Sequence, residues 1–258
     1  MSIEITILGC GSSSGVPAIG NYWGKCNPDN PKNKRLRCSI LIKTKELTIL
    51  VDSTPDLRQQ LLSSNVKRLD GVLITHTHSD HINGIDDFRC LNLLMKKDIN
   101  LYANKDIISK IREKFGYVFE SLVPEANGFY YKPCLIPNEI SGLFKIKDLE
   151  IMSFEQNHGF TNSTGFRIKN FAYCTDVFDF DDNALGNLKN LDLWIVDCLR
   201  FEPHKCHAHY EKVMQWIGDL KPKKTVFTHM NYDIDYDYIK SIAPRNCMPA
   251  YDGLILKV

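Results

Sequence analysis

No Cys-x-x-Cys pair occurs in this sequence of 258 residues, although it holds nine cysteines, at 10, 26, 38, 90, 134, 174, 198, 206 and 247. That scatter argues against a zinc ribbon or a thioredoxin-type redox motif, which need closely paired thiols. Nor is there an apolar run of the roughly 18 residues that a membrane span requires. The start, Met1-Ser-Ile-Glu-Ile-Thr-Ile-Leu8, lacks the basic opening and long apolar core of a secretory signal. A cytoplasmic location with reduced structural thiols is the expectation. Excess charge is missing too, with 32 Lys and Arg against 31 Asp and Glu, formally +1. This argues against a protein that coats long nucleic acid and favours a small anionic partner. No low-complexity tract or linker divides the chain, so a single domain over residues 1–258 is expected, and 43% hydrophobic content supports a large core.

Strand-like runs rich in Ile, Val, Leu, Phe and Thr recur at 3–8, 38–43, 47–51, 72–75, 100–103, 149–154, 165–169, 193–196 and 225–228. Lys43–Leu47 reads as a hairpin turn. Helical periodicity appears at 56–64, 85–96, 105–115, 207–220 and 235–242. The mixture predicts layers of sheet and helix, with two sheets enclosed by helices. Residues 116–148, with Pro124, Pro133 and Pro137, are the least periodic and read as a surface excursion over a site.

The sharpest feature is Thr75-His76-Thr77-His78-Ser79-Asp80-His81, where three imidazoles and a carboxylate fall within six residues. It follows the apolar strand Gly71-Val72-Leu73-Ile74 and precedes Asn83-Gly84 and a helical run, so it occupies a strand-to-helix loop. An extended backbone points His76 and His78 to one side, and Asp80 and His81 can turn toward a second position nearby. The bland alternative is a solvated polar loop, and this density of ligand types in a chain with eight His argues against it. Three more candidates follow strand-like runs: His158 after Phe154-Glu-Gln-Asn, Asp176 after Phe171-Ala-Tyr-Cys-Thr, and His229 after Thr225-Val-Phe-Thr. Taken singly each is a plausible turn residue, whereas strand ends on one rim would join them to the first motif.

These residues resemble the metallo-β-lactamase superfamily along nearly the whole chain. The resemblance implies an α+β fold, an αββα four-layer sandwich of two mixed sheets packed face to face with helices outside. It implies two divalent metal ions, Zn or Mn. One would take His76, His78 and His158, the other Asp80, His81 and His229, with Asp176 bridging. Asp52 would orient ligands from behind them. A water bridging the two metals would lose a proton and act as the nucleophile, which makes Asp80 a catalytic as well as a ligating residue.

Leu8-Gly-Cys-Gly-Ser-Ser-Ser-Gly-Val-Pro17, Arg35-Leu-Arg-Cys-Ser39, Asp52-Ser-Thr-Pro-Asp-Leu-Arg58 and Ala250-Tyr-Asp-Gly253 look like segments of the phosphoribosyl cyclic-phosphate phosphodiesterase family, with ribonuclease Z a more distant relative. That likeness implies phosphodiester hydrolysis on a small cyclic phosphate or nucleotide. It implies a helper His at a helix start, matched by His207, acting as general acid or phosphate clamp. His209 is the rival for that role and a candidate substrate contact, as are Ser12, Ser13 and Ser14 of the opening loop. Homodimers are an expectation from such relatives. The family's separate structural zinc site maps onto Asn21, Trp23, Cys26 and Tyr232, so no separate structural zinc is expected here, and Trp23 and Tyr232 are expected to fill that space by packing. The run Lys32-Asn-Lys-Arg-Leu-Arg37 reads mainly as a solvated loop with Arg side chains in ion pairs.

Three rivals remain from the sequence. The first is ribonuclease Z-like tRNA processing, against which the balanced charge argues. The second is carboxyl-ester, lactone or thioester hydrolysis on the same metals. The third is a metal-dependent sensing or binding protein, which would have no use for a general acid.

Overall fold

The structure, a computed structural model, describes residues 2–258. Its strands are β1 (Glu4–Gly9), β2 (Ser39–Lys43), β3 (Thr48–Val51), β4 (Gly71–Leu73), β5 (Ile99–Ala103), β6 (Leu135–Glu139), β7 (Leu143–Ile146), β8 (Leu149–Asn157), β9 (Asn162–Ile168), β10 (Phe171–Cys174), β11 (Leu193–Asp197), β12 (Thr225–Thr228), β13 (Cys247–Pro249) and β14 (Ile255–Lys257). Its α-helices are α1 (Leu57–Ser63), α2 (Ser79–Ile82), α3 (Phe88–Met95), α4 (Lys105–Phe115), α5 (Asp182–Asn187), α6 (Tyr210–Leu220) and α7 (Tyr236–Ile242).

The strands form two seven-stranded sheets, ordered β14-β1-β2-β3-β4-β5-β6 and β13-β12-β11-β10-β9-β8-β7. In the first, the β14-β1-β2-β3 pairs are antiparallel and the β3-β4-β5-β6 pairs parallel. The second repeats the scheme, parallel along β10-β11-β12-β13 and antiparallel along β10-β9-β8-β7. Strand alternation sorts the apolar side chains into layers. In β2 and β3, Ile40, Ile42, Ile49 and Val51 face the space between the sheets. Leu41 and Leu50 point the other way, into a layer with Leu57, Leu61, Phe88, Leu91 and Ile107 of the helices. On the second sheet Tyr173 reaches across, its hydroxyl 3.2 Å from Cys38 Sγ, whereas Trp194 packs outward near Trp216 of α6, ring centroids 6.4 Å apart. The result is the expected four-layer sandwich.

Five of the seven helices sit where periodicity places them, with two shifts, and the short α2 and α5 carry no such periodic signal. α6 begins at Tyr210, so His207 lies in the loop before the helix rather than on it. The 85–96 segment is a single 3-10 turn followed by α3. Residues 116–148 are not one aperiodic excursion, because they include β6 and β7. β6 pairs with β5 and β7 with β8, and the segment before them bonds to the α3 region: Tyr117 Oη donates to Asp86, Arg89 Nε to Tyr130 O, and Asn92 Nδ2 to Cys134 O. The Thr44–Leu47 turn closes as expected, with Thr44 N donating to Leu47 O.

The basic run departs from expectation in part. Arg37 pairs with Asp56 at 3.0 Å, but Arg35 is buried. Its guanidinium donates to Asn231 O, Ile234 O and Asn33 Oδ1 and contacts Cys26 Sγ. Arg35 therefore ties the N-terminal loop to the segment after β12. Tyr22, not Trp23, packs on Tyr232, edge-on with centroids 4.9 Å apart, and Trp23 bonds to Asn21. All nine cysteines are unpaired thiols. No helix among the described residues is long and apolar enough to cross a membrane.

Strand direction determines where function can collect. β3 and β4 run parallel, β10, β11 and β12 run parallel, and β8, two antiparallel pairings from β10, runs the same way as β10. Their carboxyl ends open onto one edge of the sandwich, the usual location of ligand sites in open sheets. The loop after β4 is pinned there by Thr164 N donating to Thr75 O at 2.8 Å. Gly84 closes the same loop, its N–H bonded to Ser53 O at 2.9 Å. A Cβ at Gly84 would overlap the Thr54 carbonyl and lie 2.8 Å from Leu57 Cβ. Gly84→Ala is expected to cost about 2–3 kcal/mol by overpacking. A denaturant midpoint equal to that of the unsubstituted protein would refute the close approach.

Candidate metal centre

Six strand ends or post-strand loops supply the site. Asp52 follows β3, the His76–His81 loop follows β4, His158 follows β8, Asp176 follows β10, Asp197 ends β11, and His229 follows β12. Asp52, Asp176 and His229 each take a left-handed backbone conformation, with φ of 65°, 53° and 57°. Such positive φ is costly for a residue with a Cβ and clusters at functional turns. It turns each side chain off the strand axis toward the shared edge.

Side chains from these positions form three compact groups, namely His76, His78, His158 and Asp176; Asp80, His81, Asp176 and His229; and Asp197, His207 and His229. The first two contain every residue the resemblance nominates as a ligand, and Asp176 belongs to both. In the first group His78 Nδ1 lies 2.9 Å from His76 Nε2 and 3.2 Å from His158 Nε2. Asp176 Oδ1 stands 3.7 Å from His76 Nε2 and 3.6 Å from His158 Nε2. In the second, His81 Nε2 is 3.3 Å from Asp80 Oδ2 and 3.1 Å from Asp176 Oδ2, and His229 Nε2 is 3.7 Å and 3.4 Å from the same two carboxylates. Donors on a tetrahedral cation, each at about 2.0–2.1 Å from the metal, stand about 3.3 Å apart. His81 Nε2 and His229 Nε2 are buried with no hydrogen-bond partner, which a metal would satisfy, while His229 Nδ1 faces Asp197 Oδ1 at 3.8 Å. The donor set therefore fits a pair of divalent cations, and mixed N/O donors suit Zn or Mn.

A hydrogen-bond network behind the ligands selects the tautomers. Asp52 is fully buried and accepts from Thr75 N, Thr75 Oγ1 and His81 Nδ1, each at 2.8 Å. Thr75 Oγ1 in turn receives His76 Nδ1 at 3.0 Å, and His158 Nδ1 donates to Cys206 O at 2.7 Å. With the Nδ1 protons committed, Nε2 of His76 and His158 presents its lone pair to the cluster, and Nε2 is the nitrogen of His81 that a cation would take in place of a proton.

The two groups differ electrostatically. Burial holds His76 well below the ordinary imidazole range and lowers His158, so both are disposed to be neutral donors. Burial opposes protonation of His81 as well, but Asp176, Asp80 and Asp52 outweigh it and hold that ring well above its usual range. His229 is pushed up to about 9, burial being overcome by Asp176, Asp80 and Asp197. Burial alone would raise Asp80 and Asp176, yet neighbouring imidazoles, His81 and His229 foremost, hold both below the carboxylate range. Asp52 is raised by its burial. In the second group, imidazole protons provide the positive charge that cations would supply.

His207 lies beside the ligands. Its ring stacks on His229 at 4.7 Å between centroids and 12° between planes, its Nδ1 is 2.7 Å from Asp197 Oδ2, and its Nε2 is 4.0 Å from Asp176 Oδ1. It is half-buried and, with exposed His78, marks the solvent-facing side of the centre. Asp197 escaped the sequence reading. Its signal was present, an acid closing the apolar strand Leu193–Asp197 as Asp176 and His229 follow theirs. The remaining candidates lie outside the three groups. Ser12 is buried, its N–H bonded to Met230 O beside His229, and Ser13 and Ser14 are exposed. His209 occupies the N-cap position of α6, with no capping bond from its side chain.

Residues 48–230 match the model of the beta-lactamase superfamily domain. The chain belongs to the metallo-β-lactamase superfamily. Among solved structures of that superfamily, a diphosphatase from the PhnP family superposes with a TM-score of 0.91 and 30% identity, covering 100% of this chain and 98% of that one. A Porphyromonas gingivalis protein named octanoyltransferase is 31% identical over 252 residues, 96% of this chain and 50% of that protein. An exodeoxyribonuclease, WalJ, of Streptococcus pneumoniae is 25% identical over 177 residues, 62% of this chain and 57% of that protein. The chain thus spans about half the length of these curated relatives.

The metallo-β-lactamase geometry predicts about two equivalents of Zn or Mn per chain by elemental analysis. Asp176→Ala, which touches both groups, is expected to depress occupancy at both sites, whereas His158→Ala should lower one alone. Full loading of Asp176→Ala would contradict a shared carboxylate.

Proposed function

We propose that this chain is a two-metal phosphodiester hydrolase acting on small phosphorylated substrates. The observation that carries the reading is His207, an imidazole held by a buried carboxylate at the edge of a complete double ligand set. His76, His78 and His158 would hold one cation, Asp80, His81 and His229 the other, with Asp176 common to both. When bound, the cations acidify a water and offset charge on the attacked phosphoryl oxygen. The side chains do the rest. Asp52, Thr75 and the Cys206 carbonyl keep the ligand rings in their donating tautomers. Asp197 fixes His207 through Nδ1, leaving Nε2 to pass a proton to the departing oxygen. That step matters most where the leaving group is a poor one, such as the alkoxide of a ribose or nucleotide.

The likeness to a diphosphatase and to an exodeoxyribonuclease supports phosphate chemistry. The octanoyltransferase name favours acyl chemistry as a second reading, although this chain corresponds to only 50% of that protein. Turnover of bis(p-nitrophenyl) phosphate, compared with p-nitrophenyl octanoate and an octanoyl thioester at equal metal loading, separates the two. Phosphodiester cleavage is expected to dominate, and cleavage of the acyl substrates alone would overturn the proposal. His207→Ala is expected to lower kcat roughly 10²-fold or more with metal content unchanged. Asp197→Asn should lower kcat in the same direction and leave KM nearly constant. Activity equal to that of the unsubstituted enzyme in His207→Ala would remove the imidazole from the mechanism.

A further inference from the structure

A cavity of about 620 Å³ adjoins the metal centre, within the size range of small-molecule sites. Phe160, Phe178, His204, Lys205, His209 and Lys212 line it. Phe160 sits at the tip of the β8–β9 turn, two residues from His158, and is 88% exposed. The ring is held out in water and is not part of the buried core. Its turn is nonetheless held in place. His158 N donates to Thr161 O at 2.8 Å, and His158 Nδ1 to Cys206 O at 2.7 Å. Gly159, at φ 74°, approaches so closely that a Cβ there would lie 2.7 Å from both Cys206 Sγ and Lys205 O. Phe160 is thereby tied to the segment that carries His204 and His207.

The opposite wall is aromatic and cationic. Lys212 Nζ lies 4.1 Å from the Phe178 ring centroid and pairs with Asp179 at 3.1 Å. Lys205 adds a second cation, His204 and His209 contribute imidazoles, with burial lowering His204, and no carboxylate is among the lining residues. The His204 ring lies 5.2 Å from the His207 ring, so the cavity opens toward the proton donor.

We propose that this cavity is the subsite for a nucleoside portion of the substrate, with Phe160 stacking on the base and the basic wall receiving a phosphate. This rests on the phosphodiesterase reading and narrows its substrate class to nucleotide-containing esters. A planar base supplies the stacking partner that an exposed phenyl ring lacks, and stacking tolerates any base because each has a π face.

Binding of adenosine 5′-monophosphate and of ribose 5-phosphate to the metal-loaded protein, by calorimetry, tests the proposal without turnover. The two probes share the phosphate and differ in the base. The nucleotide is expected to bind about tenfold or more tighter. Phe160→Ala should abolish that preference, Phe160→Trp should preserve it, and Lys205→Ala should weaken both probes together. Equal affinity of the two probes for the unsubstituted protein, or an undiminished preference in Phe160→Ala, would overturn the subsite. A preference that persists in a protein without phosphodiester turnover would leave the subsite standing and remove the reaction assigned above.

Discussion

Everything at this edge of the sandwich depends on the carboxylate of Asp176. It is buried, and its two oxygens stand within about 4 Å of five imidazoles: His81 on one oxygen, and His76, His158, His207 and His229 on the other. A charge removed from water is tolerable only when opposite charge and hydrogen bonds replace its hydration. Thr175 Oγ1 donates to it at 2.7 Å, and the rest must come from imidazole protons or bound cations. Metal binding and the acid–base behaviour of the cluster are therefore one constraint. The group richer in carboxylates, with Asp80 and Asp176, holds its imidazoles protonated, and the group richer in imidazoles holds them neutral.

The fold meets this constraint with backbone rather than loops of chance shape. Both sheets place parallel strands so that their carboxyl ends share one edge. Asp52, Asp176 and His229 then turn off their strands at positive φ. Cross-sheet bonds, such as Thr164 N to Thr75 O and Met230 N to Cys10 O, keep the two halves of the ligand set in register. Tight packing around Gly84 and Gly159 holds the two loops that carry ligands and the neighbouring aromatic ring.

A layer of residues behind the ligands converts a cluster into an oriented site. Asp52 and Thr75 serve His76 and His81, a main-chain carbonyl serves His158, and Asp197 serves His207. Each fixes which ring nitrogen carries a proton, and thus which one can donate to a metal or deliver a proton to substrate. The superfamily relationship accounts for the shared edge and ligand set. The aromatic and basic cavity next to it is the proposed nucleoside subsite.

Much of this was legible in the chain itself. Three imidazoles and a carboxylate packed between an apolar strand and a helical run announce a metal loop, because few other arrangements use those side chains at that density. Strand-end His158, Asp176 and His229 joined it because a strand end is where a side chain can leave the sheet. Two sheets enclosed by helices followed from the mixture of strand-like and helical runs, and the four-layer sandwich from the family resemblance. What tertiary structure alone decided is pairing across long sequence separations. Asp197 became the partner of His207 only when β11 met the loop before α6. Arg35, in a basic run that looked solvated, is buried because carbonyls some 200 positions away converge on it. Tyr22 replaced Trp23 against Tyr232, and Phe160 found its cavity across from Lys212. Local sequence dictates which groups can do chemistry. Strand order and direction dictate which of them meet, because those depend on burying both faces of two sheets at once.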